Sequence, residues 1–437
     1  MREMKDSGIE WIGQVPNNWK LKKGKYLFKQ HNNRGNLKCL QLLSPSQKFG
    51  VIPQTLLEEL TTQNVVKVSE KANLNDFKTV HVGDFCISLR SFQGGFEYSR
   101  YEGVVSPAYQ VFSAIGDNLC DGYYRYLFKD KSFIDKMNSY TMTLRDGKNI
   151  AFDDFGNTYI PVPPKSEQEK IANFLDSQCS EIDALSADIQ KEIEILEQCK
   201  RSVITEAVTK GLNPDVEMKD SQTSWFGNIP QNWSTCKTLY VLKQPITDGP
   251  HTTPELYDEG IPFVSAEAVS CGNGDIDFEH IRGYISQEFY DECCKKYIPQ
   301  KYDIYMIKSG ATTGKVAIVT TEKVFTIWSP LAAFRCDENK MLPYFLYYSL
   351  QATPFQNQVQ DGWNYGTQQN IGMRTLEKLK ICKPPLTEQK QIVDYLNKKC
   401  SETNIVIKEL YRQLKTLASY KESIIYEYVT GKKEVLI

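Results

Sequence analysis

The side chains best suited by type to meet a ligand lie in two Gly-rich turns and two polar loops. Ser309–Lys315 reads SGATTGK and follows Lys308. A phosphate-binding P-loop needs G-x-x-x-x-G-K-[ST]. Here Gly310 and Gly314 stand one residue too close and Val316 follows the lysine, so nucleotide hydrolysis is not expected. Such a turn still offers backbone N–H groups, the hydroxyls of Ser309, Thr312 and Thr313, and the cations Lys308 and Lys315 to a nucleic-acid phosphate. It reads equally as a plain hairpin turn. The turn Leu89–Gly95, LRSFQGG, gathers Arg90, Ser91 and Gln93. Arginine can take guanine bidentately and glutamine can take adenine; a solvated hairpin is the alternative. One loop carries Arg145, Lys148 and Asn149, and the other carries Trp363, Asn364, Tyr365, Thr367, Gln368, Gln369 and Asn370. Amides interleaved with aromatics suit base-edge readout and stacking, and equally suit an ordinary surface loop.

Catalytic and metal-site patterns are missing. His81, His251 and His280 are scattered, and no serine sits in GxSxG. The chain has neither GxGxxG nor an Asn/Asp-Pro-Pro-aromatic methyltransferase tetrad. Twelve cysteines form no CxxC pair, and four histidines leave a zinc site without support. No metal, no resident cofactor and no chemistry of its own is the expectation. Reduced thiols, an N-terminus MREMKDSGIEW without an apolar leader and the lack of a membrane-length apolar run lead us to expect a cytoplasmic protein. The net charge of −2 argues against an indiscriminate polyanion binder but leaves room for a local basic face.

What must hold these loops is written twice in the chain. PPKSEQEKIANFL begins at Pro163 and PPLTEQKQIVDYL at Pro384, and the two copies run without a gap at an offset of 221 as far as Thr209 and Thr430. Self-similarity at a fixed offset defines the architecture. Ile182, Ile189, Leu196 and Val203 recur every seven residues, matched by Thr403, Leu410, Leu417 and Ile424. The companion position holds Cys179, Ser186, Ile193 and Lys200, matched by Cys400, Ile407, Leu414 and Lys421. This 3–4 alternation predicts two helices of about 44 residues, roughly 65 Å long, that bury their seams on one another. Ser166 or Thr387 is expected to cap each start, with Glu169 completing a capping box in the first copy. Gly211 and Gly431 suit the left-handed end of a helix. The seam lysines Lys200 and Lys421 can set register or simply extend their stems to water.

A second repeat, at offset 214, pairs W-x-G-x-x-P-x-x-W at Trp11–Trp19 with Trp225–Trp233. Its aromatics read as clamps against a helix. Between these segments and the helices lie regions where the copies diverge but landmarks keep their order: Ser44 with Ser265, Ser106–Pro107 with Ser329–Pro330, and Asn149–Ile150 with Asn370–Ile371. The expected organisation is residues 1–162 as a first α+β domain, 163–212 as a central helix, 213–383 as a second α+β domain and 384–437 as a C-terminal helix. Each domain is expected to hold a twisted, mainly antiparallel sheet plus helices.

Taken together, the duplicated W-x-G-x-x-P-x-x-W and PP-x-[ST]-E-Q motifs, the two heptad helices, LRSFQGG…EGVVSPAY at 89–109 and SGATTGKVAIV at 309–319 resemble the specificity subunits of type I restriction–modification systems over the whole chain. The resemblance implies two target recognition domains separated by two antiparallel coiled-coil helices. Each domain would read one half of a bipartite double-stranded DNA site. The subunit would be catalytically silent. It would dock two methyltransferase (modification) subunits that bring S-adenosylmethionine, and two restriction (motor-nuclease) subunits that use ATP and Mg. Thr403, where the seam wants an aliphatic residue, departs from the pattern. A non-enzymatic protein-interaction scaffold with a coiled-coil spacer is the competing class; it predicts binding without the salt dependence of a DNA contact.

Overall fold

Strand Ile304–Ile307, IYMI, shows how alternation builds the core. All four side chains are buried. Ile304 and Met306 enter one apolar cluster with Val316, Ala332 and Phe334. Tyr305 and Ile307 enter another with Ala317, Leu331 and Ala333. A two-residue period thus feeds two cores from one strand. Phe85–Ile87 behaves the same way: Phe85 and Ile87 join Phe28, Phe112 and Phe128, while Cys86 joins Val111 and Leu43 on the other face. The computed structural model describes residues 2–34, 41–61, 76–87, 95–140, 150–365 and 369–435.

The chain forms two compact units, Met1–Ile189 with Tyr411–Ile437, and Gln190–Leu410. In the first unit, strands Phe28–His31, Gln110–Ala114, Phe85–Ile87 and Glu97–Tyr98 lie side by side, all antiparallel. A second sheet orders Gly50–Pro53, Gln41–Ser46, Gly103–Val105 and Lys78–Val80, with one parallel pair. Helices Asp121–Leu127 and Lys131–Ser139 bury Tyr123, Tyr124, Phe133 and Met137. In the second unit, Thr247–Asp248, Leu331–Phe334, Ile304–Ile307 and Val316–Ile318 form the corresponding sheet. Gly283–Ile285, Ile261–Val264 and Thr326–Ile327 form the other, again with one parallel pair. The fold is α+β with mainly antiparallel sheets. No helix among the described residues is long and apolar enough to cross a membrane.

The two repeated segments are single helices, Lys165–Lys210 and Leu386–Val429. Ile182, Ile189, Ile193, Ile407, Leu410 and Ile424 are buried, and Leu196, Val203, Leu414 and Leu417 are half-buried, while most flanking positions are exposed. Each unit contains a stretch of both helices, and within each the stretches run antiparallel. In the first unit Lys421 Nζ donates to Asp183 Oδ1 and Oδ2 at 2.6 and 2.7 Å. In the second, Lys200 Nζ donates to Asn404 Oδ1 at 2.6 Å. Asn404 is the repeat mate of Asp183, as Lys421 is of Lys200, so each seam lysine meets the counterpart of the other's partner. Thr403 turns its hydroxyl back to the Lys399 carbonyl at 3.0 Å, the usual local solution for a hydroxyl within a helix.

The helix starts differ from the expectation. Pro164 O accepts from Glu167 N and Gln168 N at 2.9 and 3.0 Å, and Pro385 O accepts from Gln389 N at 2.9 Å. The second proline therefore supplies the first helical carbonyl, and Ser166 and Thr387 lie inside the helices rather than at their caps. The Glu and Gln of the motif serve the domains instead. Glu167 Oε2 accepts the Trp19 indole N–H at 3.1 Å and Glu388 Oε2 that of Trp233 at 2.7 Å. Gln168 and Gln389 are fully buried. Their amides donate to Pro163 O and Pro384 O, each at 2.9 Å, and accept from Cys120 N and Leu342 N, each at 2.8 Å. Trp19 also packs where the C-terminal helix ends: Gly431 has φ +74°, and a Cβ there would lie 2.5 Å from Pro16 and 2.9 Å from Trp19. The tryptophans are thus buried clamps joining one helix start to the other helix's end.

Candidate nucleic-acid interface

In the second unit the strand ends converge on one rim. Strand Ile304–Ile307 runs into Lys308 and Ser309, and its neighbour starts at Leu331 opposite Ile307. Lys308 N donates to Pro330 O at 2.8 Å, which fixes the Ser329–Pro330 landmark beside the turn. The SGATTGK turn closes through Gly314 N to Ile307 O at 2.8 Å and Thr313 Oγ1 to Gly310 O at 2.7 Å. Short strands Asn364–Tyr365 and Gln369–Asn370 form a hairpin. That hairpin pairs with the turn: Ser309 bridges Asn370, Gly310 N donates to Gln369 O at 3.0 Å, and Ile371 N donates to Lys308 O at 2.9 Å. The two stretches singled out by composition in this half therefore form one surface, although about 60 residues separate them in sequence.

Within it, Lys315, Gln369 and Asn370 are exposed, and Ser309, Thr312 and Thr313 are half-buried. Lys308 is largely covered and reaches Asp248 Oδ2 at 3.3 Å. Trp363 packs against the core with its indole nitrogen buried, so its ring serves the core and is not presented to a base. The side chains of Asn364 and Tyr365, and Thr367 and Gln368 altogether, lie outside the described residues, as do Arg90, Ser91, Gln93, Arg145, Lys148 and Asn149 in the first unit. There the flanking positions are described. Ile87 pairs with Gln110, and Gln110 holds Ile150 O and Phe152 N, each at 2.8 Å. Ile87, which precedes 88–94, and Ile150, which follows 141–149, thus meet through Gln110 at one sheet end. A polar cavity of about 470 Å³ lies on the opposite face of the same sheet, lined by Lys29, His31, Asn32, Asn33, His81, Asp84 and Ser113. Its buried Asp84 sits 3.2 Å from His31 Nε2.

Sequence reasoning missed Asp248, which Lys308 reaches, its further partners Lys296 and His251, and the Arg282 guanidinium lying 3.9 Å over the Trp328 ring. None falls in a motif, and the polar stretch KQPITDGPHTTPE around Asp248 carries no signal that the acid is buried. Asp248 feels two opposing influences. Burial pushes its carboxyl up, but the Lys296 hydrogen bond and the charges of Lys296 and Lys308 outweigh that and hold it below the usual range. Among the described residues no group of His, Cys, Asp and Glu has a metal-binding arrangement.

Residues 16–195 and 251–416 match the family described as type I restriction modification DNA specificity domain, once in each half of the chain. The chain belongs to that family. Similar relatives include the EcoBI specificity subunit of Escherichia coli, 22% identical over 291 residues, which cover 65% of this chain and 60% of that protein. The MjaVIII specificity subunit of Methanocaldococcus jannaschii is 25% identical over 64% of this chain and 63% of its own length. The match thus spans less than two thirds of these relatives. A chain in a solved structure concerned with complex assembly and conformational transition of the type I R-M system aligns with a TM-score of 0.65 at 16% identity, covering 96% of this chain and 99% of that one. That likeness is one of fold. The specificity-domain family is a DNA-recognition family, and a scaffold with no DNA role is not favoured by membership in it.

Proposed function

We propose that the chain is the sequence-reading subunit of a type I restriction–modification complex. Each unit reads one half of a bipartite duplex target, and the paired helices set the number of unread base pairs between the halves. The observation that carries this reading is the contrast between two scaffolds built alike and two sets of turns and loops that differ in sequence. Clamp tryptophans, buried glutamines and seam lysines are repeated contact for contact, while the turns and loops at the rims share almost no side chains. One frame carrying two unlike readers suits a target with two unlike halves.

The subunit would be non-catalytic and cytoplasmic. The helices would dock two modification subunits, which bring S-adenosylmethionine and methylate adenine in each half-site. Two restriction subunits using ATP and Mg would complete the nuclease. Co-expression with its modification subunit, followed by genome-wide mapping of methylated adenines, tests the reading directly. It expects one bipartite motif with a fixed spacer; methylation without sequence preference, or of a continuous motif, refutes it. The spacing role has its own test. Removing residues 190–196 together with 408–414 excises facing heptads and keeps the Lys200–Asn404 and Lys421–Asp183 register. Seven residues at about 1.5 Å each shorten the helices by roughly 10 Å, or about three base pairs. The expected methylome has both half-sites intact and a spacer shorter by about that amount; an unchanged spacer refutes the role.

A further inference from the structure

Resting on the DNA-reading function, we propose that Asp248, Lys296, Lys308 and His251 form a preset binding site for one backbone phosphate of the duplex at the rim of the second unit. Asp248 is 1% exposed and ends the strand that pairs with Leu331–Phe334. A carboxylate so placed needs compensation, and Lys296 Nζ supplies it at Oδ1. Oδ2 is buried and makes no well-aligned hydrogen bond; Lys308 Nζ and His251 Nε2 each stand 3.3 Å from it. One negative charge therefore gathers two permanent positive charges and a titratable third. The surplus is positive, and it faces solvent: the Lys296 side chain is 50% exposed and that of His251 72%.

The surroundings suit a phosphate. An ammonium carries three donors, and one carboxylate cannot occupy those of both lysines. A cavity of about 250 Å³ opens beside Lys296, lined also by Asp248, Gly249 and Thr252, with Phe289 and Ile327 as apolar walls; Lys308 and His251 reach Asp248 from outside this lining. Glu292 also borders it but is paired with Lys295. Gly249 brings the backbone in: a Cβ there would lie 1.8 Å from Ile327 O, so no larger residue fits. The site adjoins the Ser309–Asn370 surface through Lys308, so a phosphate held here would fix the duplex against the turn and hairpin without reading a base. Asp248 is the positioning residue. Tethering two flexible lysines before DNA arrives removes ordering entropy that free side chains would lose on binding.

The test uses the subunit assembled with its modification subunits and titrated with a fluorescent duplex, carrying the mapped target or a shuffled one, between 50 and 200 mM salt. Each phosphate contact contributes about 0.9 to the slope of log K against log salt. Lys296→Gln is expected to flatten the slope by about that amount, so that the affinity lost over this range is about 3.5-fold smaller than for wild type. Binding should fall equally on both duplexes, and the methylated sequence should not change. Lys296→Arg should restore the slope. Asp248→Asn keeps both cations and removes a negative charge; positioning predicts weaker binding, whereas a merely neutralising acid predicts tighter binding. Because Lys296 compensates the buried Asp248, Lys296→Gln is expected to lower the melting temperature, so slopes are compared at a temperature where circular dichroism shows every variant folded. An unchanged slope in Lys296→Gln, or a changed target sequence, overturns the site. A wild-type complex that binds neither duplex overturns the DNA reading itself.

Discussion

Replacing the buried Gln168 by methionine tests whether the repeated PP-x-[ST]-E-Q motif acts through its amide. Methionine keeps the chain length and nearly the volume, so packing changes little. What is lost is the pair of hydrogen bonds to Pro163 O at 2.9 Å and from Cys120 N at 2.8 Å, together with a long contact to Asn118 O at 3.4 Å. An unsatisfied buried backbone group costs about 1–3 kcal/mol. Two of them, less the benefit of no longer burying an amide, leave a destabilisation of roughly 2–4 kcal/mol. Because the chain has two compact units, one global unfolding free energy is not a safe measure. Hydrogen exchange by mass spectrometry resolves the effect: peptides spanning 118–127 and 163–171 should lose protection, while those of 338–351 and 384–392 should not. Gln389→Met should show the mirror pattern, and the two effects should add to within about 0.5 kcal/mol. Gln168→Glu adds a sign test. A carboxylate there would face the carbonyls of Pro163 and Asn118, so its cost should grow as pH rises above the ordinary glutamate value of about 4.3. A change below about 0.5 kcal/mol in Gln168→Met, or loosening in the other unit, would refute the role assigned to the glutamine.

Two further predictions follow from buried charge. Burial lowers the Lys200 pKa, opposed by nearby Cys400 and Glu197, and its partner Asn404 is neutral. Lys200→Met is therefore expected to stabilise the second unit by about 0.5–1.5 kcal/mol. It should also remove a rise in stability that the wild type shows as pH climbs from the lowered folded value toward about 10.4, measured by urea unfolding. Burial raises Glu97 to about 7 despite its hydrogen-bonded partner Lys129. The folded state then holds more protons than the unfolded one between about 4.5 and 7, so this group's contribution to stability falls as pH rises through that window. Comparing wild type with Glu97→Gln should show a difference of roughly 3 kcal/mol across the window; parallel stability curves would show that Glu97 is not protonated on folding.

Periodicity made the long helices legible. The seam positions named from the heptads are buried or half-buried, because burial on a partner follows directly from a 3.5-residue repeat, whereas the least exposed residues of those helices, such as Gln168, Leu175, Gln389 and Leu396, lie at the ends packed on the domains. The helix starts were misread because hydroxyl-before-acid is a local cap signal, whereas here a tertiary demand takes the acid for a tryptophan and the glutamine for a distant backbone. The rim of the second unit was partly legible. Glycine, hydroxyl and amide composition marked its turn and loop, but the pairing of Ser309 with Asn370 depends on sheet closure between distant strands. Asp248 and Lys296 were invisible for the same reason: an acid and a lysine 48 residues apart carry no pattern until strand and helix bring them together.

The repeated seam lysines alone do not explain why the helices keep their register. Coiled-coil slips come in heptads. A seven-residue shift in one direction would bring Lys200 opposite Tyr411 and Lys421 opposite Gln190, a phenol and an amide in place of the present amide and carboxylate. A shift in the other direction would bring Lys200 to Asn397 and Lys421 to Asp176, an amide and a carboxylate again. The lysines therefore discriminate only weakly against the first slip, through the lost carboxylate, and not against the second. The globular parts close that gap. Asp176 is already held by Arg125 and by the Tyr126 hydroxyl at 2.6 Å, and Asn397 by the Tyr348 hydroxyl at 2.8 Å. The polar residues that would welcome the slipped register are occupied by the domains, and the same occupation is repeated in both units. Register thus rests on the seam and the domains jointly, which is what a spacer of fixed length requires when the domains it carries are free to diverge at their rims.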